Sequence, residues 1–119
     1  MTASMRRSAS LKCLCLYADK SGESHWRSFE IEYCERLFAP PAQHIFVSGV
    51  EATTPFVLIK LKAGWNEPVH PSPRRQVFIG LRGRVEVTAS DGELRQIGVG
   101  DVWRMEDVRG AGHHTRVVV

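Results

Sequence analysis

The sequence predicts an all-β domain of the sandwich or barrel class. Three observations predict it. Short runs alternate apolar and polar residues; breaks rich in Gly and Pro separate them at regular intervals; and no stretch sustains a helical period.

Residues 11–18, LKCLCLYA, read as a strand on which Cys13 and Cys15 share one face, a spacing suited to core packing. Residues 28–33, SFEIEY, place Phe29, Ile31 and Tyr33 on one face and Ser28, Glu30 and Glu32 on the other. YCERLFA (33–39) is the one stretch with helical character, and Pro40 and Pro41 stop it. HIFVSG (44–49) reads as a short strand and PFVLIKLKAG (55–64) as a longer one. WNEPVHPSPRR (65–75) holds three prolines within six residues and must be an extended, stiff loop or a bulged edge. QVFIGLRG (76–83) is a strand closed by a glycine turn, and RVEVTA (84–89) alternates with Val85 and Val87 on one face. SDGE (90–93) centres Asp-Gly in a hairpin turn. LRQIGVGD leads into the strand VWRM (102–105), EDVRGAG (106–112) is a loop, and HHTRVVV (113–119) closes the chain as a strand. The total is eight or nine strands.

With 119 residues, 43% of them apolar, the chain has material for one core. We expect residues 1–10, small, polar and basic, to be a disordered leader, with Met5 as another possible start, and residues 11–119 to form the domain. The net charge of +3 raises the question of nucleic acid, but the arginines are scattered among acids and no binding motif accompanies them. No apolar run approaches the ~20 residues that span a bilayer. Three cysteines in an odd set make no disulfide framework, which fits a reducing cytoplasm.

One constellation carries chemistry. Gly64, five residues, His70-Pro71-Ser72, three residues, Gln76, six residues and Gly83 keep the intervals of the first motif of the cupins; Gly100-Asp101, a loop and His113 resemble the second. HPSPRRQ, LRGRVEV, SDGE, GVGD and EDVRGAGH, in that order, resemble a small bacterial cupin subgroup without an established function. The resemblance implies a single-domain jelly-roll β-barrel with its site in the interior, and a homodimer formed through an edge or swapped N-terminal strand. In the usual cupin site three histidines and a carboxylate hold a divalent transition metal. The strict counterparts here are His70, Gln76 and His113, with Ser72 and Gln76 standing where the motif has His and Glu. Two imidazoles and an amide form a weak neutral set, so iron, manganese, nickel or zinc would be held weakly.

The expected ligand is a small polar or anionic molecule, met by His70, Ser72, Arg75, Gln76, Trp103 and His113. Arg75 or its neighbour Arg74 offers a guanidinium fork for an anion, and Trp65 and Trp103 are candidates for a pocket mouth or for the core. Glu106 and Asp107 either supply the missing carboxylate or lie on the surface. His114, next to His113, points the other way in an extended strand. The competing expectation is a metal-dependent dioxygenase or isomerase/cyclase with His70 and His113 as ligands. Between the two stands a metal-free enzyme with histidine as general base, for which the sequence shows no orienting partner.

Overall fold

The computed structural model describes residues 10–37 and 39–119. The expected leader lies, but for Ser10, outside them. Among the described residues there are nine strands and no helix: β1 (Leu11–Ala18), β2 (Ser24–Ile31), β3 (Cys34–Arg36), β4 (Ile45–Val47), β5 (Gln76–Ile79), β6 (Val85–Ala89), β7 (Leu94–Ile97), β8 (Val102–Glu106) and β9 (His113–Val117). They form three sheets, ordered β2-β1-β8-β5, β3-β4 and β7-β6-β9. No helix is long and apolar enough to cross a membrane.

The described residues divide into two compact units, one comprising residues 10–12, 30–37 and 39–58, the other residues 13–29 and 59–119. In the first, β3 and β4 pair antiparallel, Cys34 opposite Val47 and Arg36 opposite Ile45. YCERLFA, the one stretch with helical character, thus supplies β3 rather than a helical turn. A helical run this short cannot nucleate alone in water, whereas a ladder partner satisfies its backbone. The strand expected over 55–64 is also absent: Phe56 is 81% exposed, and the segment makes no ladder among the described residues. Apolar residues at successive positions give a segment the capacity to be a strand, but a strand exists only where an edge receives it.

The second unit holds the core. Leu16 of β1, Trp26 of β2, and Trp103 and Met105 of β8 come from the four-stranded sheet. Val85, Val87 and Ala89 of β6 and Ile97 of β7 come from the three-stranded one. The alternation follows the sequence closely: Val85, Val87 and Ala89 are buried, and Glu86 and Thr88 between them are not. Gly92, at a φ of 95°, sits in the Asp-Gly turn that joins β6 to β7. β1 runs parallel to β8, with Leu14 beside Trp103 and Leu16 beside Met105. Cys13 and Cys15 are buried, but Leu14 and Leu16 are the β1 residues that join the core cluster. Burial, with the Glu106 charge behind it, pushes the Cys15 thiol up to about 11. It is therefore a protonated packing group at neutral pH.

Candidate functional site

The proline-rich segment before β5 lies antiparallel along β9 without forming a regular strand. Val117 donates its N–H to Trp65 O at 2.8 Å and Glu67 donates to Thr115 O at 3.2 Å. His70 and His113 exchange both backbone hydrogen bonds, at 3.2 and 3.1 Å. The ladder is interrupted because Pro68 and Pro71 have no N–H to give. Its consequence is that His70 and His113 stand directly opposite each other, ring centroids 5.6 Å apart. Gly112 makes this approach possible. Its φ is 76°, and a Cβ there would collide with the His70 carbonyl.

His113 is 3% exposed and Asp107 is fully buried. The His113 Nδ1–H donates to Asp107 Oδ2 at 2.6 Å, and the Ser72 hydroxyl donates to Asp107 Oδ1 at 2.8 Å. The Ser72 backbone N–H also donates to the Asp107 carbonyl, at 3.0 Å. Both carboxylate oxygens are thus used, and the buried charge is compensated by two side-chain donors. A carboxylate accepts and does not donate, so the proton of a neutral His113 sits on Nδ1 and Nε2 is the ring nitrogen left for the pocket. Trp103 supports the ring from the side, edge-on at 5.5 Å and 79°.

His70 is differently placed. Its Nδ1–H donates to the Pro71 carbonyl at 2.8 Å, and its Nε2 lies 2.5 Å from Glu67 Oε2. The Pro71 carbonyl and then the Glu67 carboxylate hold its pKa above the usual histidine value, so the ring tends to the imidazolium with both N–H groups committed.

Both histidines line a pocket of about 160 Å³. Its walls are mostly apolar, from Leu61, Trp65, Phe78, Trp103 and Met105. Glu67, Ser72, Gln76 and Thr115 add polar atoms. Trp103 Nε1 is, among the described residues, the one buried side-chain nitrogen or oxygen without a hydrogen-bond partner.

Of the residues expected at the site, His70, Ser72, Gln76, Trp103 and His113 come together around this pocket, and Trp65 joins them. Arg75 does not. Its side chain is 73% exposed and ion-paired to Glu106 at 3.0 Å, away from the lining. Arg74 is exposed as well. Glu106 also faces away: burial raises its pKa, but Arg75, then the Cys15 thiol and Arg27, overcome that and hold the carboxyl below its usual value. His114 turns outward to Asn66 Oδ1 at 2.6 Å. His25 bridges Asp19 and Asp91 at 2.7 and 2.8 Å, and His44 is exposed.

The donor set does not fit a resident metal. His70 spends both nitrogens on Glu67 and Pro71, and Ser72 spends its hydroxyl on Asp107. Gln76 is exposed, with its amide nitrogen 3.2 Å from Met105 Sδ. Of the expected donors this leaves His113 Nε2 and the neutral Gln76 Oε1, and a divalent transition metal needs three or more donors. Among the described residues no three His, Cys, Asp or Glu side chains are grouped to share an ion.

Glu67 escapes sequence reasoning, and Asp107 is named there only together with Glu106, with no choice between them. Glu67 precedes His70 by three positions across a proline, a spacing with no standard geometry outside a helix. Asp107 is one of two adjacent acids, and β8 alternation is the signal that separates them: Trp103 and Met105 face the core, so Asp107 continues that face and Glu106 the other. Comparison with known proteins finds no match to this chain among family models, curated proteins or solved structures.

Proposed function

We propose that the chain is a small jelly-roll protein of the cupin type that binds a small polar molecule in this pocket without a resident metal. His113, oriented by Asp107, is the acid–base group that meets the ligand. The observation that carries this is the buried Asp107–His113 contact of 2.6 Å, with Ser72 fixing the second carboxylate oxygen. A histidine whose Nδ1 is tied to a buried carboxylate presents Nε2 in one tautomer and one orientation. It can take a proton from a ligand, because Asp107 stabilises the imidazolium that forms. The fold reading is supported by two sheets sharing one core and by the retained motif intervals from Gly64 to Gly83.

The test is the metal content of the folded protein after dialysis, together with ligand binding by His113→Ala. The expected result is well under one tenth of an equivalent of iron, manganese, nickel or zinc, and loss of binding in the variant. A full equivalent of metal, lost in His70→Ala, would overturn the reading and return the metal-dependent enzyme in its place. We also propose a cytoplasmic homodimer; three free thiols suit a reducing compartment, and a monomeric mass in light scattering at micromolar concentration contradicts the dimer.

A further inference from the structure

The pocket lies wholly within the second unit, and its lining holds no lysine or arginine. Arg75, the cation expected to receive an anion, is ion-paired to Glu106 outside the lining. The charged groups at the pocket are Glu67 and His70, paired to each other, and the Asp107 carboxylate behind His113. Two carboxylates thus stand against one imidazolium. A carboxylate or phosphate entering here would shed its hydration, meet no unpaired cation and add a third negative charge. An ammonium fares little better. Asp107 is spent on His113 and Ser72, Glu67 is spent on His70, and the His70 ring itself carries positive charge into the lining.

A neutral molecule meets a different surface. The His113 Nδ1–H is held by Asp107, so Nε2 carries the lone pair. Among the described residues Nε2 has no hydrogen-bond partner, and, unlike Trp103 Nε1, it is not sealed from solvent. It is an acceptor that a ligand can reach. The remaining polar side chains of the lining, Ser72, Gln76 and Thr115, are uncharged. Phe78 and Met105 supply flat and compliant apolar walls. The space of about 160 Å³ matches a single six-membered ring, since a cavity of ~150 Å³ accommodates benzene.

We propose that the pocket takes an uncharged molecule of single-ring size, with an apolar body and a hydroxyl group whose O–H donates to His113 Nε2, and that it rejects anions. This rests on the reading of His113 as the pocket's acid–base group. It narrows the ligand from small polar molecules in general to neutral hydroxyl compounds.

The experiment is an NMR titration of the full chain, read on the ¹⁵N signals of the His113 ring, with four probes. Phenol has the ring and the hydroxyl; anisole has the oxygen without its proton; benzoate is an anion and benzylammonium a cation of similar size. The expected result is a saturable shift of the Nε2 signal by phenol, with affinity at least about fivefold above each comparator, the worth of one hydrogen bond. Gln76→Arg, at an exposed position of the lining, supplies the absent cation and should raise benzoate affinity at least about tenfold. Anisole binding as tightly as phenol, or no saturable binding of phenol, overturns the hydroxyl contact. Benzoate or benzylammonium binding as tightly as phenol overturns the uncharged class, and unchanged benzoate affinity in Gln76→Arg overturns its electrostatic basis. The two readings fail separately. Preferred binding of an ion that still shifts Nε2 would leave the His113 reading standing while the class falls. An unmoved Nε2 signal at saturation with phenol, or undiminished phenol binding in His113→Ala, would overturn the His113 reading itself. If that variant fails to fold, the wild-type Nε2 signal decides.

Discussion

His70 and His113 face each other across one pair of backbone hydrogen bonds, yet the two sides of the pair are built for different work. His113 is buried, has one nitrogen fixed by a buried carboxylate and keeps the other for the pocket. His70 has a side chain 43% exposed and both nitrogens engaged, one by a carbonyl and one by Glu67. Both are the residue type a metal centre would use. The difference lies in their second partners: under the proposed function His113 exchanges the proton and His70 closes the proline-rich segment onto β9.

The largest expected effect comes from removing the carboxylate on each side. Asp107→Ala leaves the buried Ser72 hydroxyl and His113 Nδ1–H without an acceptor and should cost about 3 kcal/mol in urea unfolding. Glu67→Ala removes the partner of a half-exposed ring and should cost about 1 kcal/mol or less. Equal costs would abolish the asymmetry.

The next effect concerns the backbone that sets the pair opposite each other. Gly112→Ala faces both a positive φ and a collision with the His70 carbonyl, whereas Gly64→Ala has the same φ of 76° with open space around it. The second should cost about 1–2 kcal/mol from backbone conformation alone. The first should cost more than that and should also weaken ligand binding, because β9 and the proline-rich segment must move apart. Similar thermal midpoints for the two variants would count against close approach as the device that builds the site.

A smaller effect is visible in pH. The folded-state pKa of His70 is raised, so its contribution to stability is full below the ordinary value of 6.5 and is lost as pH rises through the higher folded value. His25, hydrogen-bonded to Asp19 and then Asp91, is raised too and carries the same sign. His70→Gln and His25→Gln should each flatten part of the decline in melting temperature above pH 6.5. A wild-type curve that rises there, or variants that leave its slope unchanged, would contradict these assignments. The smallest effect belongs to Arg75→Ala. An exposed ion pair changes stability by about 0.5 kcal/mol or less, and the affinity of a small molecule that needs His113 should not change. A clear loss of affinity would bring Arg75 back to the site.

Much of the framework is legible in the sequence. The alternation of RVEVTA gives β6 and its buried face, and Asp91-Gly92 gives the hairpin to β7. The intervals from Gly64 to Gly83 single out His70, Ser72 and Gln76, and His113 follows from the second motif. Chemistry is less legible, because it depends on contacts between segments distant in sequence. Asp107 and Ser72 are 35 residues apart, and nothing local in either marks the hydrogen bond that orients His113. Trp103 reads as core or as pocket wall, and it is both; its unpartnered N–H appears only once every neighbouring acceptor has been placed. PFVLI failed as a strand for the complementary reason: local period says nothing of the edge that must receive it.

The central claim is that Asp107 holds His113 with its proton on Nδ1 and Nε2 free for a ligand. The ¹⁵N chemical shifts of the His113 ring at neutral pH test it directly. A protonated Nδ1 and a bare, pyridine-type Nε2 is the predicted result. A protonated Nε2, or an Nε2 shift set by a bound metal in the purified protein, would contradict it.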